Sequence, residues 1–382
     1  MEKDPDLCKM KKVLYIGGFE LPDKNAAAQR VMSNAKLLRQ MGFEVSFIGY
    51  TKTAGAEETV EFNGFPCTLL PYPDSLRRWI RHMFLFVSRE ELARRQFDYV
   101  ILYNFPSVAG AKIIRYCHRR GIRVIHDVTE WEHPSGLSLR SVMKRMDTFM
   151  MMRHVMYKMD GIIAISHFLE DFYRKRVPAI LVPPTVDLGD EKWGRGRDLS
   201  PGNKIQLVFA GNAGLYKDRL DYVIEAVREL DNLELTVVGM TEIQYAEVFG
   251  TSARSAPNVH FVGRLGHLDA LEQVRKADFQ TIIRNDNRKT RAGFPTKFVE
   301  SFSCCTPVIA TLTSDIGLYL KDGENGFVVD EDHSLKSVLQ AVSILSREDI
   351  IRMKENCRST DVFDYRHYEK EFSRLFSMVS KK

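Results

Sequence analysis

The chain has 382 residues, 44% hydrophobic and 27% charged, with a formal net charge of +5. That balance excludes a disordered or fibrous chain, and the length predicts two domains of ordinary size. No apolar run approaches the roughly 20 residues of a membrane span, and the charge is too dilute, with too few interleaved aromatics, for a nucleic-acid face.

The opening MEKDPDLCKMKK lacks the apolar core of a signal peptide, so a cytoplasmic protein with anionic partners is expected. Six scattered cysteines show no paired metal-ligand spacing, and Cys304-Cys305 fall in a predicted helix; buried or reduced thiols are expected, with neither disulfides nor zinc.

In chain order, residues 12–19 (KVLYIGGF) read as a buried parallel strand ending in Gly17-Gly18. A polar loop follows, then a helix over 26–41 with Val31, Ala35 and Leu38 at helical spacing, stopped by Gly42, and a strand over 44–50. Gly17-Gly18 is not the GxGxxG fingerprint, so nicotinamide binding is poorly supported. Arg30, early in this helix, reads as a solvated side chain.

Strands over 99–103, 123–128 and 161–166 alternate with helices, which predicts a doubly wound parallel sheet. The strand RVIHDV brings His126 and Asp127, with Glu130 and Glu132, to a carboxyl end, where ligands bind in such sheets. Two helical stretches, 76–97 and 139–159, mix arginines with Trp79, Phe84 and Phe86 in the first and with seven methionines in the second. Each fits a membrane-interface helix or a helix packed on the sheet with its charges in water.

Residues 188–203 are polar and glycine-rich, the character of a linker. A second set of strands starts at 204–210, runs into the loop Gly211-Asn212-Ala213-Gly214-Leu215-Tyr216-Lys217-Asp218, and continues at 233–239, 259–263 and 277–284. The stretch 284–311, RNDNRKTRAGFPTKFVESFSCCTPVIAT, is the most informative. Gly293 permits a tight turn and Pro295 suits the first turn of a new helix. The N–H groups of Thr296 and Lys297 then carry the positive helix end, with Arg284, Arg288 and Arg291 near in sequence, a site for phosphate. Glu300 lies about one turn on, in reach of a ligand hydroxyl, so phosphate plus hydroxyl suggests a nucleotide. A basic loop followed by an ordinary amphipathic helix fits the same spacing. The tail from 361 places Tyr365, Tyr368, Phe372 and Leu375 at helical spacing.

The segment from Glu300 through Thr306-Pro307-Val308-Ile309-Ala310 resembles the nucleotide-sugar signature of retaining GT-B glycosyltransferases (family 4-like, group 1). The loop 211–218 resembles that family's GRLSPEKG, and the PTK before Glu300 resembles a bacterial surface-polysaccharide subgroup. The resemblance implies an α/β protein of two Rossmann-like doubly wound parallel-sheet domains facing a cleft: 1–187 for the acceptor, a linker at 188–203, 204–360 for the nucleotide sugar, and a helix at 361–382 crossing back.

It implies transfer of a sugar, with retention, from a nucleoside diphosphate sugar, taken as a UDP-sugar, to a saccharide or lipid-linked saccharide. No metal or other cofactor is expected. His126, or Asp127, would face the sugar, Lys217 would bind the diphosphate and assist catalysis, and Glu300 would hold the ribose. Gly17, Gly18, Gly211, Asn212, Arg284, Gly293, Phe294, Pro295, Thr296 and Lys297 complete the implied donor site. In the family the loop after the first strand approaches the donor phosphates and the acceptor, so the resemblance implies that Arg30 could assist there in place of being solvated; Asn212 and Ala292 stand where the family has arginine and glutamate. A nucleotide-sugar 2-epimerase of the same architecture, or a non-catalytic nucleotide-sugar-binding partner, are the alternatives. Peripheral contact with an anionic membrane, on the inner face of the plasma membrane, completes the expectation.

Overall fold

A computed structural model describes residues 10–381 apart from 23–24, 53–56, 133, 135, 195–201, 212, 215–216 and 251–255. The chain divides into two compact units, Met1–Thr185 with Tyr365–Lys382, and Val186–Asp364.

The first unit is built on β1 (Lys12–Gly17), β2 (Glu44–Thr51), β3 (Glu58–Phe62), β4 (Phe65–Pro71), β5 (Tyr99–Tyr103), β6 (Arg123–Val128), β7 (Gly161–Ala164) and β8 (Ala179–Leu181). They form one sheet in the order β3-β4-β2-β1-β5-β6-β7-β8. Every neighbouring pair is parallel except the β3–β4 hairpin. β5 is buried along its whole length, as a central parallel strand covered on both faces must be. β3, at the edge, carries Glu58 and Glu61, charges that discourage pairing with another chain.

The second unit contains β9 (Ile205–Ala210), β10 (Leu233–Val238), β11 (Val259–Gly263), β12 (Phe279–Ile282), β13 (Val308–Thr311) and β14 (Gly326–Val329). Their order, β11-β10-β9-β12-β13-β14, is parallel throughout and is that of a dinucleotide-binding sheet. Strand order reverses between β1 and β5 in one unit and between β9 and β12 in the other. Outside the carboxyl ends at those two points a crevice opens for ligands.

Local chemistry departs from the periodicity in three places. The stretch 76–97 forms two helices, Leu76–Phe84 and Arg89–Ala93, because Phe86 and Val87 turn inward and Ser88 caps the second helix at the N–H of Glu91. The methionine stretch changes character midway. Its helix Leu139–Met150 buries no residue, whereas the π-helical and 3-10 turns that follow, Met151–Val155 and Met156–Lys158, bury Met151, Met152, Val155 and Met156. Cys304 and Cys305 lie just beyond the helix Thr296–Ser303 instead of within it, and the five described cysteines are buried free thiols.

The tail helix Glu369–Ser380 packs on the first unit, where Phe372, Leu375, Phe376 and Val379 join its core. A Cβ on Gly161 would stand 2.9 Å from both Leu375 and Val379, so β7 accepts the helix only because it starts with glycine. Replacing Leu375 by Ala should cost about 2–5 kcal/mol of stability. Urea unfolding checks this, and a change below about 1 kcal/mol would mean that the helix docks without supporting the core.

Candidate functional site

In the second unit, a carboxylate collects cations at the reversal point between β9 and β12. Asp218, in the loop after β9, is buried; its Oδ1 accepts from Arg284 Nε at 2.8 Å and its Oδ2 lies 3.3 Å from Lys297 Nζ. The loop is held against the end of β12 by an antiparallel bridge between Asp218 and Arg284 and by the Arg219 N–H donating to the Ile283 carbonyl at 2.8 Å. Arg284 is fixed in turn by Thr311, whose hydroxyl accepts from its N–H at 2.8 Å and donates to its carbonyl at 3.0 Å.

Burial pushes the Asp218 carboxyl up, but Lys297 and Arg284, with Lys217 nearby, more than offset it and leave the pKa at about 2. Burial lowers the Lys297 pKa, opposed by Asp218. The Lys297 ammonium also sits 4.4 Å from the centre of the Phe209 ring.

Gly211 begins this loop at φ +133, and a Cβ there would come within 3.1 Å of Lys297 Nζ. It is glycine because the backbone must turn while the ammonium passes close by. Lys217 is exposed on the same loop, beside Asp218 in sequence. Asn212 lies outside the described residues.

The helix Thr296–Ser303 starts with Pro295 at its N-cap, so the N–H groups of Thr296 and Lys297 belong to the first turn, which has no intrahelical acceptors. Gly293 is extended (φ −93, ψ 155), ending the short helix Arg288–Ala292; the turn expected of it is not a left-handed one. Phe294 is buried in an aromatic cluster with Phe298, Tyr319 and Phe363. Along the helix, Glu300 Oε1 lies 3.2 Å from His267 Nε2, and both side chains are partly exposed. Sequence reasoning assigned no role to Asp218 or His267. The only signal for Asp218 was its place directly after Lys217, and His267 is far from Glu300 in sequence.

In the first unit, a pocket of about 390 Å³ opens at the carboxyl ends of β1, β5 and β6, lined by Gly18, Tyr103, Asn104, His126, Val128 and Glu130. Trp79, His82, Arg140 and Lys144, from the helices Leu76–Phe84 and Leu139–Met150, complete its wall. Gly17 lets β1 pass β5, since a Cβ there would come within 2.7 Å of Tyr103.

His126 is buried and its pKa is pushed down to about 3 by burial, so the ring is neutral. Its Nε2 accepts the Phe105 N–H at 3.3 Å, which puts the ring proton on Nδ1, and Nδ1 has no partner among the described residues. Lys144 is paired with Glu132 at 2.8 Å, and Asp147 accepts from the N–H and hydroxyl of Ser107 at 2.7 and 2.6 Å. Trp79 is buried under the Arg140 guanidinium, 5.2 Å away, and so does not project outward.

Asp127 does not line that pocket. Arg30 Nε and Nη2 reach its Oδ1 at 2.9 and 2.8 Å, while the Tyr15 hydroxyl and Asn34 donate to Oδ2. Arg30, which the sequence left as phosphate-binding or solvated, is buried and also donates to the carbonyls of Val182 and Pro183 at 2.9 and 3.0 Å. This network ties β1, the helix Ala26–Gln40, β6 and the segment after β8 together.

Two parallel α/β units, each with its site at a strand-order reversal, define the GT-B class of fold. The family assignment agrees with the geometry: residues 27–190 match the model of Glycosyltransferase Family 4, and residues 204–347 match that of Glycosyl transferases group 1. The chain is a GT-B glycosyltransferase assembled from these two domains, and neither model is that of an epimerase.

Among solved structures it is similar to a sucrose-phosphate synthase from Thermosynechococcus elongatus (TM-score 0.70, 14% identity, 97% of this chain and 99% of that one). It is also similar to Anabaena HepE in complex with UDP (TM-score 0.65, 14% identity, 96% and 99%). A third is WaaG, a glycosyltransferase involved in lipopolysaccharide biosynthesis (TM-score 0.63, 14% identity, 95% and 98%). No curated protein matches the chain in sequence. No helix among the described residues is long and apolar enough to cross a membrane.

Replacing Asp127 by Asn should cost about 3–5 kcal/mol in urea unfolding, because Arg30 is left buried without its counter-charge. The double replacement Arg30→Met with Asp127→Leu should recover most of that loss; equal losses in single and double variants would show that the pair is not what holds the frame.

Proposed function

We propose that this chain transfers a hexose, with retention of configuration, from a nucleoside diphosphate sugar held by the second unit to a hydroxyl of a saccharide or lipid-linked saccharide received in the pocket of the first. The observation that carries the reading is the convergence of Arg284 and Lys297 at the β9/β12 reversal, on the loop that presents Lys217 and at the start of the helix bearing Glu300. Diphosphate recognition needs several fixed cations and free N–H groups, and ribose recognition needs an acceptor one turn away; His267 orients Glu300 for that task.

In the transfer, the bond from the sugar's anomeric carbon to the β-phosphate oxygen breaks and a bond from that carbon to the acceptor oxygen forms. The acceptor's hydroxyl proton leaves to the departing phosphate. Lys217, Arg284 and Lys297 stabilise the charge that grows on the leaving diphosphate without needing a metal ion. His126 lines the pocket as a neutral ring whose Nδ1 proton is buried without a partner among the described residues, so a small opening of the wall is needed for it to reach a sugar oxygen.

A UDP-sugar is the first choice of donor, because HepE is similar in fold and its structure holds UDP. Surface-polysaccharide assembly is the favoured setting, supported by the likeness to WaaG. Titration of UDP, GDP, ADP and their glucose conjugates in the presence of EDTA should select one base. Lys217→Ala should then weaken that nucleotide about ten- to a hundredfold, and Glu300→Ala should weaken the ribose form and leave the deoxyribose form nearly unchanged, so that the difference between them shrinks. If the wild type binds none of them, the reading fails.

Membrane contact forms part of this reading. The helices Leu76–Phe84 and Leu139–Met150 meet beside the pocket, where Arg140 covers Trp79, and expose Leu76, Phe84, Leu139, Met146 and Phe149 beside Arg77, Arg78 and Arg81. Apolar side chains among cations on helices of this kind suit an anionic lipid surface. Sedimentation with vesicles containing phosphatidylglycerol should fall at least severalfold when Phe84, Phe149 and Arg81 are replaced by Ser; unchanged sedimentation would remove the membrane from the proposal.

A further inference from the structure

Asp218 is an unexpected group to find in a diphosphate site, because a carboxylate repels the ligand. It is nonetheless built in: both its oxygens are engaged, by Arg284 at 2.8 Å and Lys297 at 3.3 Å, and its backbone is bridged to the end of β12. With Lys217 on the same loop, three cations surround Asp218, and Glu300, on the helix of Lys297, is a second carboxylate within electrostatic reach of that ammonium, so the net positive charge here is small and Asp218 sets a large part of it.

A sugar-linked nucleoside diphosphate carries two negative charges, one on each phosphate. The nucleoside diphosphate left after transfer carries a third near neutral pH, because its terminal phosphate loses a second proton with a pKa of about 6. We propose that Asp218 is a specificity-determining residue that lowers the positive charge of the site and so weakens retention of the three-charged product relative to the two-charged donor. The inference rests on the nucleotide-sugar reading of this site.

The effect is electrostatic and short-ranged. Arg284 and Lys297, which would meet the phosphates, touch Asp218 directly, so the product's extra charge falls within a few ångströms of the carboxylate, where screening by water is weak. Removing the carboxylate's charge strengthens attraction for both ligands, but more for the one with the extra charge. Asp218 itself stays ionised across the working range, because its pKa is held at about 2. The ligand's terminal phosphate is then the group that makes discrimination depend on pH. Arg284 and Lys297 face Asp218 directly, Lys217 flanks it, Glu300 lies on the helix of Lys297, and His267, at the start of the earlier helix His267–Lys276, pairs with Glu300; all are present in wild type and variant alike.

The test compares UDP and UDP-glucose on wild type and Asp218→Asn at pH 8 and at pH 5 by calorimetric titration. At pH 8 the variant should bind UDP about tenfold or more tighter relative to UDP-glucose than the wild type does. At pH 5, where the terminal phosphate has regained its proton, the advantage should largely vanish. In turnover, UDP should become a correspondingly stronger product inhibitor of the variant while the KM for the donor changes less.

Equal factors for the two ligands at pH 8, or a difference that persists at pH 5, would overturn the inference and leave the nucleotide-sugar reading standing. Failure of the wild type to bind either nucleotide would overturn both. Should Asp218→Asn not fold, Lys217→Gln at the exposed loop position tests the same charge count in reverse: UDP weakened more than UDP-glucose at pH 8 and equally at pH 5. Equal weakening at both pH values would also overturn the inference.

Discussion

Each unit depends on a carboxylate buried beside the carboxyl ends of parallel strands and held there by a cation from another part of the chain. In the first unit it is Asp127 with Arg30; in the second it is Asp218 with Arg284 and Lys297. Such groups are costly to bury alone and are tolerated only when their partners are fixed. That condition joins strands, helices and loops at the point where a ligand crevice opens. In the first unit the pairing frames the pocket without entering it, and in the second it lies among the cations that would bind the ligand.

The contrast follows from what surrounds each carboxylate. Asp127 is enclosed by Arg30, Tyr15 and Asn34, and burial together with the Asp127 charge raises the Tyr15 pKa well above its ordinary value, so the tyrosine remains a hydrogen-bond donor. Among the described residues these side chains are engaged with one another and with the carbonyls of Val182 and Pro183. Around Asp218 the cations outnumber the carboxylate, so positive charge remains for an anion. The neighbouring His126 is likewise defined by its surroundings: the Phe105 N–H takes one ring nitrogen and burial keeps the ring neutral, which leaves a single donor on the other.

Much of the fold was legible because buried parallel strands are short continuous apolar runs. β5, β6 and β11 fall on the residues where the apolar pattern puts them, and the other central strands differ by a few residues at their ends. The β3–β4 hairpin escaped notice because its edge strand alternates charged and apolar residues over a short span. The break at 85–88 escaped because inward-turned Phe86 and Val87 have the same composition as a continuing amphipathic helix. At the candidate site, Lys297, Arg284 and Glu300 drew attention in the sequence because phosphate and ribose chemistry calls for those residue types near a helix start. The pairing of Arg30 with Asp127 was not legible, because an ion pair spanning 97 positions leaves no local mark on either side.

By itself the sequence determined the class of the protein: apolar strands alternating with helices specify two wound parallel sheets, and the 211–218 and 284–311 stretches carry the residues by which the chain resembles its family, since both depend on neighbours along the chain. Only the tertiary structure decided which charged groups face a ligand and which neutralise each other. Asp127 and Arg30, Asp218 with Arg284 and Lys297, and Glu300 with His267 are brought together by strand order and helix packing across long sequence separations. Whether a charge is spent or available depends on distance in space, which local spacing does not encode.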